Sequence, residues 1–239
     1  LFRSRLLMIA IPVLTMRSFA DDRKTKTDQL LLTAPVSVPK MVLAKYLSMV
    51  TVFAVPVLIS CLCPLIIKMN GTAYLKTDYA SILAFFLLGC VYIAIGMFIS
   101  STTESQIIAA VGTFGVILLL LLWPSLVNFL PTSASGSLVG FLLLWTLCVV
   151  ILHRVTSHNL LAFVLEAAGI VALVGAYVAK KSMFDRALVN LVEKIAVTDV
   201  FQNFANNYIF DAGGLIYYAS IIFLLVFLTV QSVEKRRWS

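Results

Sequence analysis

Residues 80–100 read ASILAFFLLGCVYIAIGMFIS, a stretch with no charged side chain. At about 1.5 Å of rise per residue a helix of this length crosses a hydrocarbon core ~30 Å thick. Six more apolar segments flank it, at about 1–16, 41–67, 106–129, 138–152, 160–179 and 214–231. The first is short for a crossing. The segment 138–152 is also short and spans if His153 and Arg154 reach the interface with their polar ends. The period-2 alternation of a membrane β-barrel is absent, and lipid satisfies no backbone polar group, so these segments are helices. The chain has 239 residues, 61% hydrophobic and 12% charged, against roughly 25% charged in soluble domains. The expected fold is all-α, a polytopic transmembrane helical bundle. No polar block is long enough for a soluble catalytic domain, so 1–239 reads as a single transmembrane domain. Residue 1 is Leu, and the start of the natural protein is expected upstream of it.

The formal net charge is +7. The cations stand at the ends of apolar segments, where they set orientation and meet anionic lipid head groups. Membrane lipids are the partners this implies, and nucleic acid is not. With residues 17–40 placed in the cytoplasm, the loops 101–105, 153–159 and 232–239 fall on the same side. That side then holds ten of the Lys and Arg residues against eight on the other. It includes both dense clusters, 17–26 and 235–237, and it puts Glu104, Arg236 and Arg237 at the cytoplasmic interface. The four cysteines, Cys61, Cys63, Cys90 and Cys148, lie inside apolar runs and read as small hydrophobes. No metal site is read from them, because no His or carboxylate stands near.

Between the first two apolar segments lies RSFADDRKTKTDQLLLTAPVS, residues 17–37, with seven formal charges from Arg17 to Asp28. Thr25 three residues before Asp28 makes a capping box, and Thr27 is a second cap. Pro35 stops a helix and disfavours it at Ala34. The helix between is about two turns long and unstable alone in water, so it must dock. It carries its charges first and then Leu30, Leu31 and Leu32. The residues alone leave two readings open: a lever for a partner's groove, or a polar loop holding two helices at the interface.

On the other side, 180–213 is longer. Phe184, Leu188, Leu191, Val192 and Ile195 fall at helical spacing, which predicts an extracytoplasmic amphipathic helix lying at the membrane surface or capping the bundle from outside. Glu166 lies about seven residues into the apolar segment 160–179. An acid at that depth is either functional or a protonated, hydrogen-bonded structural contact. Ala167, Ala168, Gly169 and Gly175 are small enough for close helix packing there.

The stretch MRSFADDRKTKTDQLLLTAPVS (16–37) resembles the cytoplasmic signature of ABC-2 type transporter permeases, in particular the GldF-like and NosY-like subgroup. Two further runs resemble the same family: AIGMFISSTTESQIIAA (94–110) and IYYASIIFLLVFLTVQSVEKRRW (216–238). Lys26 stands where the family usually has Gly, and Gln29 where it has Glu. Lys26 is expected to tighten the helix start. The resemblance implies that an amphipathic elbow and a first transmembrane helix precede Leu1. It also implies that 138–152 and 160–179 are an extra helix pair. In such permeases the short helix, here about 26–34, is a coupling helix seated in an ATPase subunit. That makes Asp21, Asp22, Arg23, Lys24, Thr27, Gln29, Leu30, Leu31, Leu32 and Pro35 the implied ATPase interface. The leucines would supply burial and the charges orientation and partner choice.

The chain has no GxxxxGK[ST] loop. No cofactor is expected on this chain, with ATP and Mg belonging to the partner ATPase. The other implied partners are a second permease subunit, the same or homologous, and a GldG-like auxiliary membrane protein docking near 180–213. The implied location is the bacterial cytoplasmic membrane. Two other readings stay open. One is a structural or signalling membrane subunit. The other is an ATP-independent secondary transporter, which would want several buried charges where only Glu166 qualifies. No catalytic constellation for an intramembrane enzyme is present.

Overall fold

The computed structural model describes residues 2–27, 37–70, 74–156, 159–180, 184–193 and 212–237. Among them the chain is helical, with no strand. In chain order the helices are α1 (Phe2–Thr15), α2 (Ala20–Lys24), α3 (Val38–Ser60), α4 (Leu62–Asn70), α5 (Leu75–Thr102), α6 (Gln106–Val127), α7 (Ala134–Thr156), α8 (Asn159–Ala179), α9 (Ala187–Glu193) and α10 (Ala212–Arg237). Among the described residues four stretches are long and apolar enough to cross a membrane: Val38–Met69, Leu75–Thr102, Gln106–Val127 and Gly213–Lys235. The chain divides into two compact units, Leu1–Leu121 with Val197–Ser239, and Leu122–Ala196.

In the first unit α5 is the axis. It packs against α1, α2, α3, α4 and α10. Leu88, Val91, Tyr92, Ile93, Ala94 and Met97 are wholly buried, so its middle is enclosed on every side. The surrounding helices bury one stripe each. On α3 the stripe is Val38, Val42, Tyr46, Met49, Phe53 and Val57, three or four residues apart, while Leu43, Leu47, Val55, Leu58 and Ile59 face outward. On α6 it is Ala109, Thr113 and Ile117, with Ile107, Ile108 and Val111 exposed. A helix apolar on both faces buries one against its neighbours and gives the other to lipid. The span α3–α4 is broken at Cys61. Pro64 has no amide to return to Ser60, which removes a helical bond at that level.

Small residues set how closely α5 is approached. A Cβ on Gly96 would lie 2.2 Å from Thr15 Oγ1 and 2.8 Å from Thr15 Cβ. Thr15 is fully buried, and its hydroxyl donates to the Ile11 carbonyl at 2.9 Å. A Cβ on Gly89 would lie 2.2 Å from Phe53 Cε1, the far side of a ring stacked on Phe86 at 6.0 Å. Tyr46 Oη donates to the Cys90 carbonyl at 3.2 Å. Cys90 is a buried small side chain, whereas Cys63 and Cys148 are exposed.

In the second unit α7 and α8 pair, and α9 lies on α7. The helix expected over 138–152 begins earlier, at Ala134, because Ser133 caps it: its Oγ accepts the Gly136 amide at 3.3 Å. Gly169 receives the Trp145 indole, whose Nε1 donates to the Leu165 carbonyl at 3.3 Å. Gly175 has nothing within 4 Å of where its Cβ would be. Only the first of these two glycines serves packing within the described residues.

The amphipathic reading of 180–213 needs a correction. The helix starts at Ala187, after Arg186 takes a left-handed φ of 57°. The buried residues are Phe184, Leu188 and Val189, and Leu191 faces out at 45% exposure. Phe184 and Leu188 point inward in line with their spacing, and Val189 takes the inward place that the spacing gives to Leu191. Phe184 packs edge-on to Phe141 and Tyr177, at 6.1 and 5.6 Å. Ile195 lies outside the described residues. Beneath α9 is a cavity of about 330 Å³, lined by Trp123, Leu126, Leu143, Leu144, Leu188 and Val192 among others. The Trp123 Nε1–H is bonded to the Val192 carbonyl at 3.1 Å, so it offers no free donor.

The two α5 glycines should differ. In Gly96→Ala the new methyl meets the fixed, β-branched Thr15, and overpacking of this kind costs about 1–3 kcal/mol. In Gly89→Ala the Phe53 ring can tilt aside. Thermal unfolding of the detergent-solubilised protein is expected to show a loss of several degrees for Gly96→Ala and a smaller loss for Gly89→Ala. Equal losses would contradict this account of the packing.

Candidate functional site

At one end of the first unit polar groups from several helices bond to one another. There α1 ends, α2 sits, α5 ends and α6 begins. The chain turns at Met16–Phe19 and enters α2, a helix of five residues. Its first amides need acceptors, as at any helix start. The local candidate, Ser18, does not provide one: its Oγ is buried without a hydrogen-bond partner. Phe19, at the N-cap position, has no side chain able to cap.

The cap comes from eighty residues away. Ser100 Oγ, on the last turns of α5, accepts the amides of Phe19 and Ala20 at 3.1 and 3.2 Å. The same hydroxyl donates to the Met16 carbonyl at 3.3 Å, and Ser100 is fully buried.

Three further tethers hold α2. Arg23, only 9% exposed, donates from Nη1 to the Thr103 carbonyl at 3.3 Å. Gln106 Nε2, at the start of α6, donates to Asp21 Oδ1. Lys45 Nζ, on α3, pairs with Asp22 Oδ2 and donates to the Ser18 carbonyl. It also lies 4.4 Å from the centre of the Phe19 ring, a cation–π contact. Asp21 and Asp22 stand in the first turn of α2, where its dipole favours negative charge. From the C-terminal helix, Ser232 Oγ reaches the Ser101 carbonyl at 3.4 Å. The three segments that carry the resemblance, 16–37, 94–110 and 216–238, therefore meet here.

The far end of α2 is closed too. Thr25 Oγ1 donates to the Asp21 and Asp22 carbonyls at 2.9 and 3.3 Å. Thr27 Oγ1 reaches the Asp22 carbonyl at 3.2 Å. Thr25 thereby finishes α2; the capping box expected of it with Asp28 falls on residues outside those described. Lys26 comes next with φ 57°, its amide on the Arg23 carbonyl at 3.1 Å. This is the left-handed residue that commonly follows a helix C-cap, where Gly fits without strain. Lys26 occupies a turn better suited to glycine, and the helix whose start it is expected to tighten lies outside the described residues beyond Thr27.

Of the residues assigned to a partner interface, Asp21, Asp22 and Arg23 are engaged inside the chain. Lys24, Lys26 and Thr27 are exposed. Gln29, Leu30, Leu31, Leu32 and Pro35 lie outside the described residues. Glu104 is exposed in the α5–α6 loop, and Arg236 and Arg237 fall in the last turn of α10. Glu166 is half-buried on α8, in the second unit. The residues that sequence reasoning missed are Ser100, Thr103, Gln106 and Lys45. The first three stand in the run 94–110, whose resemblance marked the place but not the contacts. Lys45, a cation inside an apolar helix, was the readable signal on α3.

A helical, multi-pass membrane protein with one end organised by polar contacts is the class these features define. Residues 5–232 match the family described as ABC-2 family transporter protein, and the chain belongs to that family. It is a membrane permease component of an ABC transporter, a transport part and not a catalytic one. Partnership with an ABC ATPase is general in this family. No curated protein and no solved structure gave a match to the chain.

The Lys26 conformation yields a test of the corner. A left-handed non-glycine residue costs roughly 1–2 kcal/mol. Lys26→Gly is expected to leave the unfolding midpoint unchanged or raise it, since relief of strain works against added unfolded-state entropy. Lys26→Val is expected to lower it, because a β-branched residue tolerates this φ least. A lower midpoint for Gly than for Val would refute the assignment.

Proposed function

We propose that the chain is a permease subunit of the GldF-like and NosY-like subgroup, and that a separate ATPase drives it through the segment 26–34. Closure of the ATPase on its bound ATP and Mg would push that segment and rock the helix bundle. The observation that carries this reading is the anchoring of α2. Asp21, Asp22 and Arg23 are bonded to α6, α3 and the α5–α6 loop, which makes a fixed base, while Lys24, Lys26 and Thr27 face out at its far end. A lever needs a rigid base and a free tip.

In this reading the tip is Gln29, Leu30, Leu31 and Leu32, ended by Pro35, with Lys24 and Thr27 beside it. The pore region is completed by a second permease subunit, the same chain or a homologue, in a bacterial cytoplasmic membrane. The substrate is exported and is lipidic or amphipathic. The second unit's cavity of about 330 Å³, lined by apolar side chains, supports that class. A GldG-like auxiliary protein docks on the outer segment 180–213. Lipid head groups meet Glu104, Arg236 and Arg237 at the cytoplasmic face.

The test is co-purification. Affinity isolation of the native complex is expected to retain an ABC ATPase. Leu31→Asp places a charge where burial is required; it is expected to cut the retained ATPase at least tenfold while membrane insertion stays normal. Full retention of ATP-driven activity by Leu31→Asp would remove the coupling assignment.

A further inference from the structure

Which helix receives a push on 26–34 is a separate question, and its answer rests on the permease reading above. By chain order the segment joins α1 to α3. The contacts run elsewhere. Both first amides of α2 end on Ser100, Arg23 ends on the Thr103 carbonyl, and Asp21 ends on Gln106. All three tethers lead to the corner where α5 becomes α6. One residue, Lys45, leads to α3, through Asp22, the Ser18 carbonyl and the Phe19 ring, so α3 flanks the corner while the cap and two tethers fix it to the α5–α6 junction.

We propose that α5 is the transmitting helix and that Ser100 is the positioning residue that couples it to the lever. α2 is a one-turn block capped at both ends, by Ser100 at the start and Thr25 at the finish. Displacement at Lys26 is not absorbed inside it without breaking those bonds. It passes to Ser100, and so to the buried stretch of α5 from Leu88 to Met97. Close-packed interiors transmit strain instead of absorbing it. Gly96 against Thr15 and Gly89 against Phe53 leave no slack for α5 to slide unaccompanied past α1 and α3. The push therefore enters the bundle at its axis.

The experiment uses the isolated complex of full-length chain and co-purified ATPase. Exposed Cys63 and Cys148 and half-exposed Cys61 are replaced by Ser, and buried Cys90 is kept. A Thr102→Cys substitution on the exposed last turn of α5 carries a bimane fluorophore, and its emission is read with and without ATP plus vanadate. The parent complex is expected to shift on trapping. Ser100→Ala is expected to retain the ATPase and to lose at least four-fifths of the shift. Ser100→Thr, which keeps the hydroxyl, is expected to restore most of it. Thr51→Ala, which removes only an exposed bond to the Leu47 carbonyl, is expected to change nothing.

A full shift in Ser100→Ala with the ATPase bound overturns the proposal. So does a shift lost equally in Ser100→Thr, since a role of the hydroxyl would then be excluded. Should Ser100→Ala fail to accumulate, Gln106→Leu cuts the Asp21 tether instead, and an undiminished shift there is equally fatal. Failure of the permease reading shows differently: the parent complex itself retains no ATPase.

Discussion

Two backbone amides, those of Phe19 and Ala20, must find acceptors in a place that water does not reach, and one hydroxyl serves both. The rest of the polar end depends on this constraint. A buried amide without an acceptor costs on the order of 1–3 kcal/mol, and α2 is far too short to persist on helical propensity. The helix exists because α5 brings Ser100 to its start. Replacing a local cap by a remote one has a structural consequence. A helix capped by its own neighbour residue is a local event, whereas this one forms only when α1, α5 and the turn between α1 and α2 are already assembled.

The same economy of contacts explains why α5 is the axis. Most helices of the first unit are apolar on every face, so hydrophobicity does not choose which side turns inward, because lipid accepts apolar surface as readily as a neighbouring helix does. Packing decides instead. The small residues Gly89, Cys90 and Gly96 let Phe53, Tyr46 and Thr15 come close to the α5 backbone. Close approach gains dispersion contacts that lipid chains supply less well. Beside these, the polar end contributes direction: the hydrogen bonds of Ser100, Arg23 and Gln106 fix register where apolar surfaces slide.

This division accounts for what was legible beforehand. The spans were readable because hydropathy reports the bilayer directly; the apolar run at 80–100 lies within α5, and that at 106–129 nearly coincides with α6. Buried stripes were not readable, since a pattern apolar all round has no period. The short helix expected over about 26–34 lies almost wholly outside the described residues; what the sequence did not announce is α2 before it, whose cap, Ser100, is remote and leaves no trace at Ser18 or Phe19. The outer helix α9 was seen, with Phe184 and Leu188 inward, but Val189 turns inward in place of Leu191. Local rules fail at these positions where a tertiary contact overrides them.

Lys26 joins the two ends of the argument. The resemblance supplies glycine at this position and the geometry supplies the reason, a left-handed turn closing α2. A lysine there retains the turn against its own preference, which requires the surrounding bonds, Thr25 to Asp21 and Asp22 and the Lys26 amide to Arg23, to hold it. The turn sets the direction in which the chain leaves the anchored block. A residue at that turn therefore acts on whatever follows through backbone geometry, and its ammonium group is a secondary matter. Charge would change how strongly a partner is attracted; the turn changes where the following segment points. Direction is the property that a small change in φ at such a turn alters most.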